Sequence, residues 1–157
     1  MAPTTKLPTR PLGRGGPKVV ALGAGLMSLG HAYGHAGSDE ERFAYLDRAY
    51  ELGETNWDTA NVYGDAEDVV GKWFKRTGKR NEIFLATKFG FVNPMEPTNI
   101  RSDPENVFES CESSLKRLQT EWIDLFYCHR VDGKTPIEKT VQAMVELKKW
   151  VLYRLDV

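Results

Sequence analysis

Cysteine is scarce: Cys111 and Cys128 are the only two in 157 residues, and no Cys-x-x-Cys spacing occurs. Two thiols set inside apolar patterns make neither a disulfide framework nor a cysteine-rich metal motif. Reduced thiols and a cytoplasmic location are the expectation. No run of about 18 apolar residues occurs, so no membrane-spanning helix and no membrane partner are predicted. The first ten residues hold Lys6 and Arg10 but no apolar signal core. Charge of one sign is also missing: 21 basic and 22 acidic residues give a net −1. With no basic run or patch, nucleic acid is not an expected partner. His31 and His35 stand at i, i+4 in a Gly/Ala loop, so no metal site is expected there. What is present is 41% hydrophobic and 27% charged residues, enough for one globular domain with a core.

The pattern along the chain alternates. Residues 1–9 are polar with two prolines and read as a disordered arm. Arg10 to Leu22 reads as a β-hairpin around Gly13-Arg14-Gly15-Gly16-Pro17. Val19 to Leu26 gives a short apolar strand. Ser38-Asp39-Glu40-Glu41 is a capping box that opens a helix with Phe43, Leu46, Ala49 and Tyr50 at helical spacing. Thr55–Trp57 is strand-like. Asp65 is read as the cap of a second helix, whose stripe is Val69, Val70, Trp73 and Phe74. Ile83–Thr87 is a strand that runs into Lys88. Asp103-Pro104 starts a third helix with Phe108, Cys111, Leu115 and Leu118 expected inside. Ile123–Cys128 is a strand ending at His129. Thr135-Pro136-Ile137-Glu138 is a second capping box, with Ile137, Val141, Met144 and Val145 as the expected inner face of a fourth helix.

Strand–helix alternation predicts parallel pairing through right-handed crossovers. Two closures fit it: an open doubly wound sheet, or part of a (β/α)8 barrel. Length alone leans toward the open sheet, because a barrel usually needs about 250 residues.

Three strands end in Asp58, Lys88 and His129, and Tyr63 hangs from the loop after the first. Parallel strands place their C-terminal ends along one edge, so these residues meet under either closure. A phenol with a pKa near ~10 is a poor acid at neutral pH. A lysine ammonium beside it stabilises the phenolate and lowers that pKa. A carboxylate holds the lysine charged, and a histidine can share a proton or orient a carbonyl oxygen. Such a set suits proton delivery to an oxygen that gains negative charge. Each residue also has a plainer reading: Asp58 as a turn cap, Lys88 as a solvated strand end, Tyr63 as packing, His129 as a partner of Asp132. The closely spaced glycines of Gly23–Gly30 have no helix opening directly after them, so a dinucleotide-binding fingerprint is not supported.

Three separated motifs carry a resemblance. Trp57-Asp58-Thr59-Ala60-x-x-Tyr63-Gly64, Ala86-Thr87-Lys88-Phe89-Gly90 and Ile123-Asp124-Leu125-x-Tyr127-x-His129-Arg130 resemble the aldo-keto reductase superfamily, closest to its microbial pyridoxal-reductase-like branch. Ser114-Leu115-Lys116-Arg117-Leu118 fits the same family. The resemblance spans about Leu12 to Lys149. It implies an α/β fold of the (β/α)8 TIM-barrel family, here the first four βα units preceded by the N-terminal hairpin, and so favours the barrel over the open sheet. It implies NADPH-dependent reduction of an aldehyde or ketone, a small-molecule carbonyl substrate, and four catalytic residues. Tyr63 would be the general acid, Lys88 the group that tunes it, Asp58 the lysine's partner and His129 the residue that orients the carbonyl. Leu26, Met27 and Asp58 would lie near the cofactor.

The resemblance also sets the expected organisation: an arm at 1–9, a truncated barrel domain at 10–149, and a divergent tail at 150–157. Trp150–Val157 stands where the family has a glycine-containing turn and a fifth strand. Four of the eight units are absent from the chain, which predicts impaired turnover and exposed barrel edges open to self-association. The alternative function is a non-catalytic half-barrel acting through self-association or a protein partner.

Overall fold

The computed structural model describes residues 6–31, 33–93, 96 and 98–150, the side chain of Trp150 excepted. Met1–Thr5 of the expected arm, Pro94 and Pro97 of the long loop, and Val151–Val157 of the expected tail lie outside the described residues. The arm is shorter than its sequence suggests, because Thr9 already belongs to a strand. β1 (Thr9–Pro11) pairs antiparallel with β2 (Lys18–Val20), Thr9 opposite Val20. The expected strand from Val19 to Leu26 is divided between β2 and a two-residue strand, β3 (Ala24–Gly25).

The main sheet is parallel, in the order β3, β4 (Asn56–Asp58), β5 (Phe84–Phe89), β6 (Leu125–Cys128). α1 (Asp39–Glu51), α2 (Ala66–Thr77) and α3 (Pro104–Leu118) are the crossovers, and α4 (Ile137–Trp150) follows β6. Each helix packs on the next, α1 on α2, α2 on α3 and α3 on α4. Sequential strands under one continuous helix layer are the barrel arrangement. A doubly wound sheet would put helices on both faces and reverse its strand order.

Local sequence explains most boundaries. The Ser38 side chain accepts from Glu41 N while Glu41 returns a bond to the Ser38 N–H, completing the predicted box. Asp103 caps α3 by accepting from Asn106 N, with Pro104 in the first turn. Gly78 ends α2 in the left-handed region at φ 68°. Asp65 occupies the cap position of α2 but makes no side-chain cap bond. Its carboxylate is taken by the buried Arg42 of α1 at 2.8 Å. The Thr135 hydroxyl ahead of α4 donates to Asp132 at 2.7 Å.

Side chains alternate across the strands. Trp57, Leu85, Phe89 and Phe126 join the core between sheet and helices. Trp57 lies 4.8 Å from Trp73 and stacks on Phe74 at 6.1 Å, centroid to centroid. Two predicted helix faces are corrected. Phe108 is exposed, and α3 instead buries Val107, Ser110, Cys111, Ser114 and Leu118. On α4, Ile137, Val141 and Val145 are exposed, while Thr140, Ala143 and Leu147 are buried. In both helices small residues face inward because neighbouring backbones approach closely. Gly71 of α2 is the clearest case: a Cβ there would lie 2.3 Å from the Arg117 carbonyl oxygen.

A Gly71→Ala substitution therefore forces α2 and α3 apart, and a loss of about 1–3 kcal/mol is expected. Gly25→Ala, which meets no atom within 4 Å, should stay within about 0.5 kcal/mol of the parent. Urea denaturation of the two variants checks the contrast, and equal losses would count against this packing account.

Candidate active site

Alternation that sends Trp57 and Leu85 to the helices sends Asp58 and Lys88 to the opposite, inner face. Register then fixes their spacing: Asp58 pairs with Ala86, and Lys88 pairs with Tyr127. Lys88 is 5% exposed. Its Nζ meets Asp58 Oδ1 at 2.5 Å, the Thr59 carbonyl at 2.8 Å and the Tyr63 hydroxyl at 3.1 Å. An ammonium has three N–H donors and no acceptor, so each bond has its own acceptor here. The plain reading of Lys88 as a solvated strand end is excluded. The loop that carries Tyr63 is tied to the strand below it, since Asn61 N donates to the Lys88 carbonyl at 3.2 Å.

His129 follows β6, its N–H bonded to the Phe89 carbonyl at 2.7 Å. Its ring stands edge-on to Tyr63 at 5.8 Å and to Phe91 at 4.9 Å. Asp132 is not its partner. That carboxylate accepts from Ser102 N, Lys134 N and Thr135 N, which hold it well below the usual carboxylate range. Nδ1 of His129 is buried and has no hydrogen-bond partner in the structure. Burial, reinforced by the Lys88 and Arg130 charges, pushes the imidazole pKa down, while Asp58 acts in the opposite sense. The neutral ring is the favoured form.

The four residues predicted as catalytic are thus neighbours at one strand edge. Of the three predicted cofactor contacts, Asp58 keeps 37% of its side-chain surface and Met27 is half-buried. Leu26 has no exposed surface. It sits in the core and donates its N–H to the Asp58 carbonyl at 2.8 Å, so it supports the strand end from beneath. His31 and His35 form a ring pair 6.0 Å between centroids, and His31 Nε2 lies 3.9 Å from Asp65 Oδ1.

Tyr127 is the residue that sequence reasoning missed. Its hydroxyl donates to Asp58 Oδ2 at 2.5 Å, so the Asp58 carboxylate is held from both oxygens. Burial, then the Asp58 carboxylate, raise the Tyr127 phenol above its usual range, so it stays a proton-bearing donor. The signal was present: a strand read with His129 at its end puts Tyr127, two residues earlier, on the same face.

A sequential parallel sheet under one helix layer, with Asp58, Tyr63, Lys88 and His129 gathered at its C-terminal edge, defines half of a (β/α)8 barrel. The chain belongs to the Aldo/keto reductase family, whose model matches residues 21–150. It is 53% identical over 146 residues to the aldo-keto reductase str7 of Strobilurus tenacellus, covering 91% of this chain and 42% of that protein. It is 43% identical over 142 residues to the aldo-keto reductase yakc [NADP(+)] of Schizosaccharomyces pombe, covering 88% and 41%. Among solved structures, the holo form of an aldo-keto reductase from Bacillus halodurans superposes with a TM-score of 0.80 at 34% identity, over 94% of this chain and 48% of that one. The chain spans about two-fifths of the length of the curated relatives it matches.

The depressed His129 pKa fixes a pH dependence. An unfolded histidine titrates near ~6.5; the folded one titrates lower. The unfolded state binds the extra proton first, so stability is intact above about 6.5 and falls as pH drops through that value toward the folded pKa. An NMR titration of His129 should give a midpoint below about 6.5, and Lys88→Met should raise it. A midpoint at or above the free-histidine value would contradict this electrostatic account.

Proposed function

We infer that this chain carries the proton-delivering part of a carbonyl reductase site, acting in NADPH-dependent reduction of an aldehyde or ketone to an alcohol. The observation that carries the reading is the Tyr63 hydroxyl held 3.1 Å from the buried Lys88 ammonium, with His129 beside it. Family membership supports carbonyl reduction, and the NADP(+) in the name of the S. pombe relative supports the choice of cofactor.

The donor set fits such a cofactor by its chemistry. Tyr63, Lys88 and His129 supply protons and positive charge, and no side chain among them supplies hydride. When bound, the reduced nicotinamide supplies that hydride. Met27 and Asp58 would hold it at the strand edge, with Leu26 packed beneath them. A small-molecule carbonyl oxygen then sits between the Tyr63 hydroxyl and the imidazole. As negative charge grows on that oxygen, Tyr63 donates its proton to it. The Lys88 ammonium stabilises the phenolate left behind, and Asp58, held by Tyr127, keeps the ammonium in place. Neutral His129 directs the carbonyl toward Tyr63. The free thiols Cys111 and Cys128 support a reducing, cytoplasmic setting.

A second reading has its own support. The exposed stripe Ile137, Val141 and Val145 on α4, together with the exposed Leu125 of β6, favours a non-catalytic half-barrel that self-associates or binds a protein partner.

Mixing the purified chain with NADPH and an aromatic aldehyde, and following the reduced-nicotinamide absorbance, separates the readings. The reductase reading expects consumption, with Tyr63→Phe lowering kcat by about 10²–10⁴-fold. No binding at millimolar cofactor, together with a dimer or larger species in sedimentation, would favour the half-barrel reading instead.

A further inference from the structure

Tyr63 sits on a loop, and a general acid on a loop needs something to fix it. One side of that loop is packed. Gly30 lies so close that a Cβ on it would fall 1.7 Å from the Tyr63 carbonyl oxygen, and a Cβ on Gly64 would meet the Gly30 carbonyl oxygen at 2.5 Å. The other side is held by a single guanidinium. Arg117, near the end of α3, donates from Nη1 to the Asn61 carbonyl at 3.0 Å and from Nη2 to the Gly64 carbonyl. These two carbonyls bracket Tyr63 in sequence. Arg117 is itself anchored: Nη1 lies 3.1 Å from Oε2 of the fully buried Glu67, and Nε meets Asp68 Oδ2 at 2.8 Å. Glu67 in turn accepts from Thr87 at 2.7 Å, the residue before Lys88. One chain of contacts thus runs from the strand that carries the lysine, through a buried carboxylate, to both flanks of the loop that carries the tyrosine.

We propose that Arg117 is a positioning residue for the general acid, setting where the Tyr63 hydroxyl stands relative to Lys88 without touching substrate or cofactor. This rests on the reductase reading for its catalytic consequence but not for its structural one. Planar geometry is the reason arginine is required. A guanidinium fork reaches two carbonyls and a carboxylate at once, whereas a lysine ammonium offers the same charge from a single point.

Arg117→Lys tests the fork while leaving a cation beside Glu67. Amide hydrogen exchange should quicken about tenfold across 61–66, where the Asn61, Tyr63, Gly64 and Ala66 amides are protected by loop hydrogen bonds. Exchange across 107–114 of α3 should be unchanged. In turnover, kcat should fall by up to about 10²-fold, the cost of a misplaced acid, with KM nearly constant. Asp68→Asn, which keeps an acceptor for Arg117 Nε and removes only the charge of a partly exposed pair, should leave kcat within about twofold of the parent. In a Tyr63→Phe background, Arg117→Lys should cost nothing more, because its effect passes through the missing hydroxyl. Unchanged exchange in 61–66, equal quickening throughout α3, or an undiminished loss in the Tyr63→Phe background would each overturn the proposal. If the parent chain shows no turnover, the reductase reading fails for this chain and the exchange comparison still decides the positioning role.

Discussion

The buried ammonium of Lys88 is the constraint around which the site is built. A charge nine-tenths withdrawn from water must be matched by acceptors, or it deprotonates or unfolds the surroundings. Three acceptors are supplied, and they come from three different kinds of structure. Asp58 is the last residue of a strand, Thr59 contributes a backbone carbonyl at the strand exit, and Tyr63 comes from the loop beyond. Satisfying one cation therefore fixes the strand register, the exit direction of the chain and the seat of the phenol together. Asp58 keeps over a third of its side-chain surface, so the pair is not sealed. The exposed side of the carboxylate is also the side where a ligand would come.

The helix layer extends that constraint outward. Strand ends are placed by register, which a packed sheet enforces, but the Tyr63 loop has no register of its own. Beyond the Asn61 N–H bond to the Lys88 carbonyl, its position comes from two contacts of different kinds. The glycine-tight approach of the Met27–Gly30 turn is steric and short-ranged. The Arg117 fork is electrostatic and directional. Arg42 serves the first side in the same way, donating to the Leu29 carbonyl at 3.0 Å and to Asp65 at 2.8 Å. Arg117 thus holds the chain just before and just after Tyr63, Arg42 holds Leu29 and Asp65, and both arginines are matched by carboxylates. The Gly71 contact matters for the same reason, because the backbone it presses against belongs to Arg117 itself.

Asp58, Lys88 and His129 were legible in the sequence because each breaks an apolar strand run at its C-terminal end, where parallel strands converge. Tyr127 was not, because inside Leu-Phe-Tyr-Cys it reads as one more apolar strand residue, and only its inward side of the pleat distinguishes it. The cap role of Asp65 failed for a tertiary reason: a buried guanidinium from α1 outcompetes the local N–H groups for that carboxylate. The inner faces of α3 and α4 were misread at Phe108, Ile137, Val141 and Val145 because hydrophobicity marks large residues, while Cys111, Leu115, Leu118 and Met144 do pack on the core. Where helices touch closely, the buried positions belong to Ser110, Ser114, Thr140 and Ala143. α4 carries two stripes at helical spacing, and the bulkier one faces away from the described core. Thr140 is held inward by a bond to the Ser102 carbonyl at 2.6 Å, which no hydropathy pattern contains.

The two ends of the sheet differ in what they complete. Beneath the hairpin, at the N-terminal ends of the strands, a cavity of about 530 Å³ is lined by Leu12, Val19, Ile83, Phe84 and Leu125. Its walls also carry Arg14, Lys18, Glu82 and Asp124, so the space is mixed in character. At the C-terminal edge the polar contacts already close on themselves. The hydrogen bonds made by Lys88 Nζ, Asp58 Oδ1 and Oδ2 and the Tyr63 hydroxyl all involve residues between Asp58 and Tyr127. The restraints on the Tyr63 loop include Arg117, within the same arc, and Gly30, in the turn after β3. The hydrogen-bond network around Lys88 is thus a local property of four consecutive strands and the helices between them. Beside this network, His129 Nδ1 is buried without a hydrogen-bond partner. The His129 ring stands edge-on to Phe91 at 4.9 Å, outside the closed network.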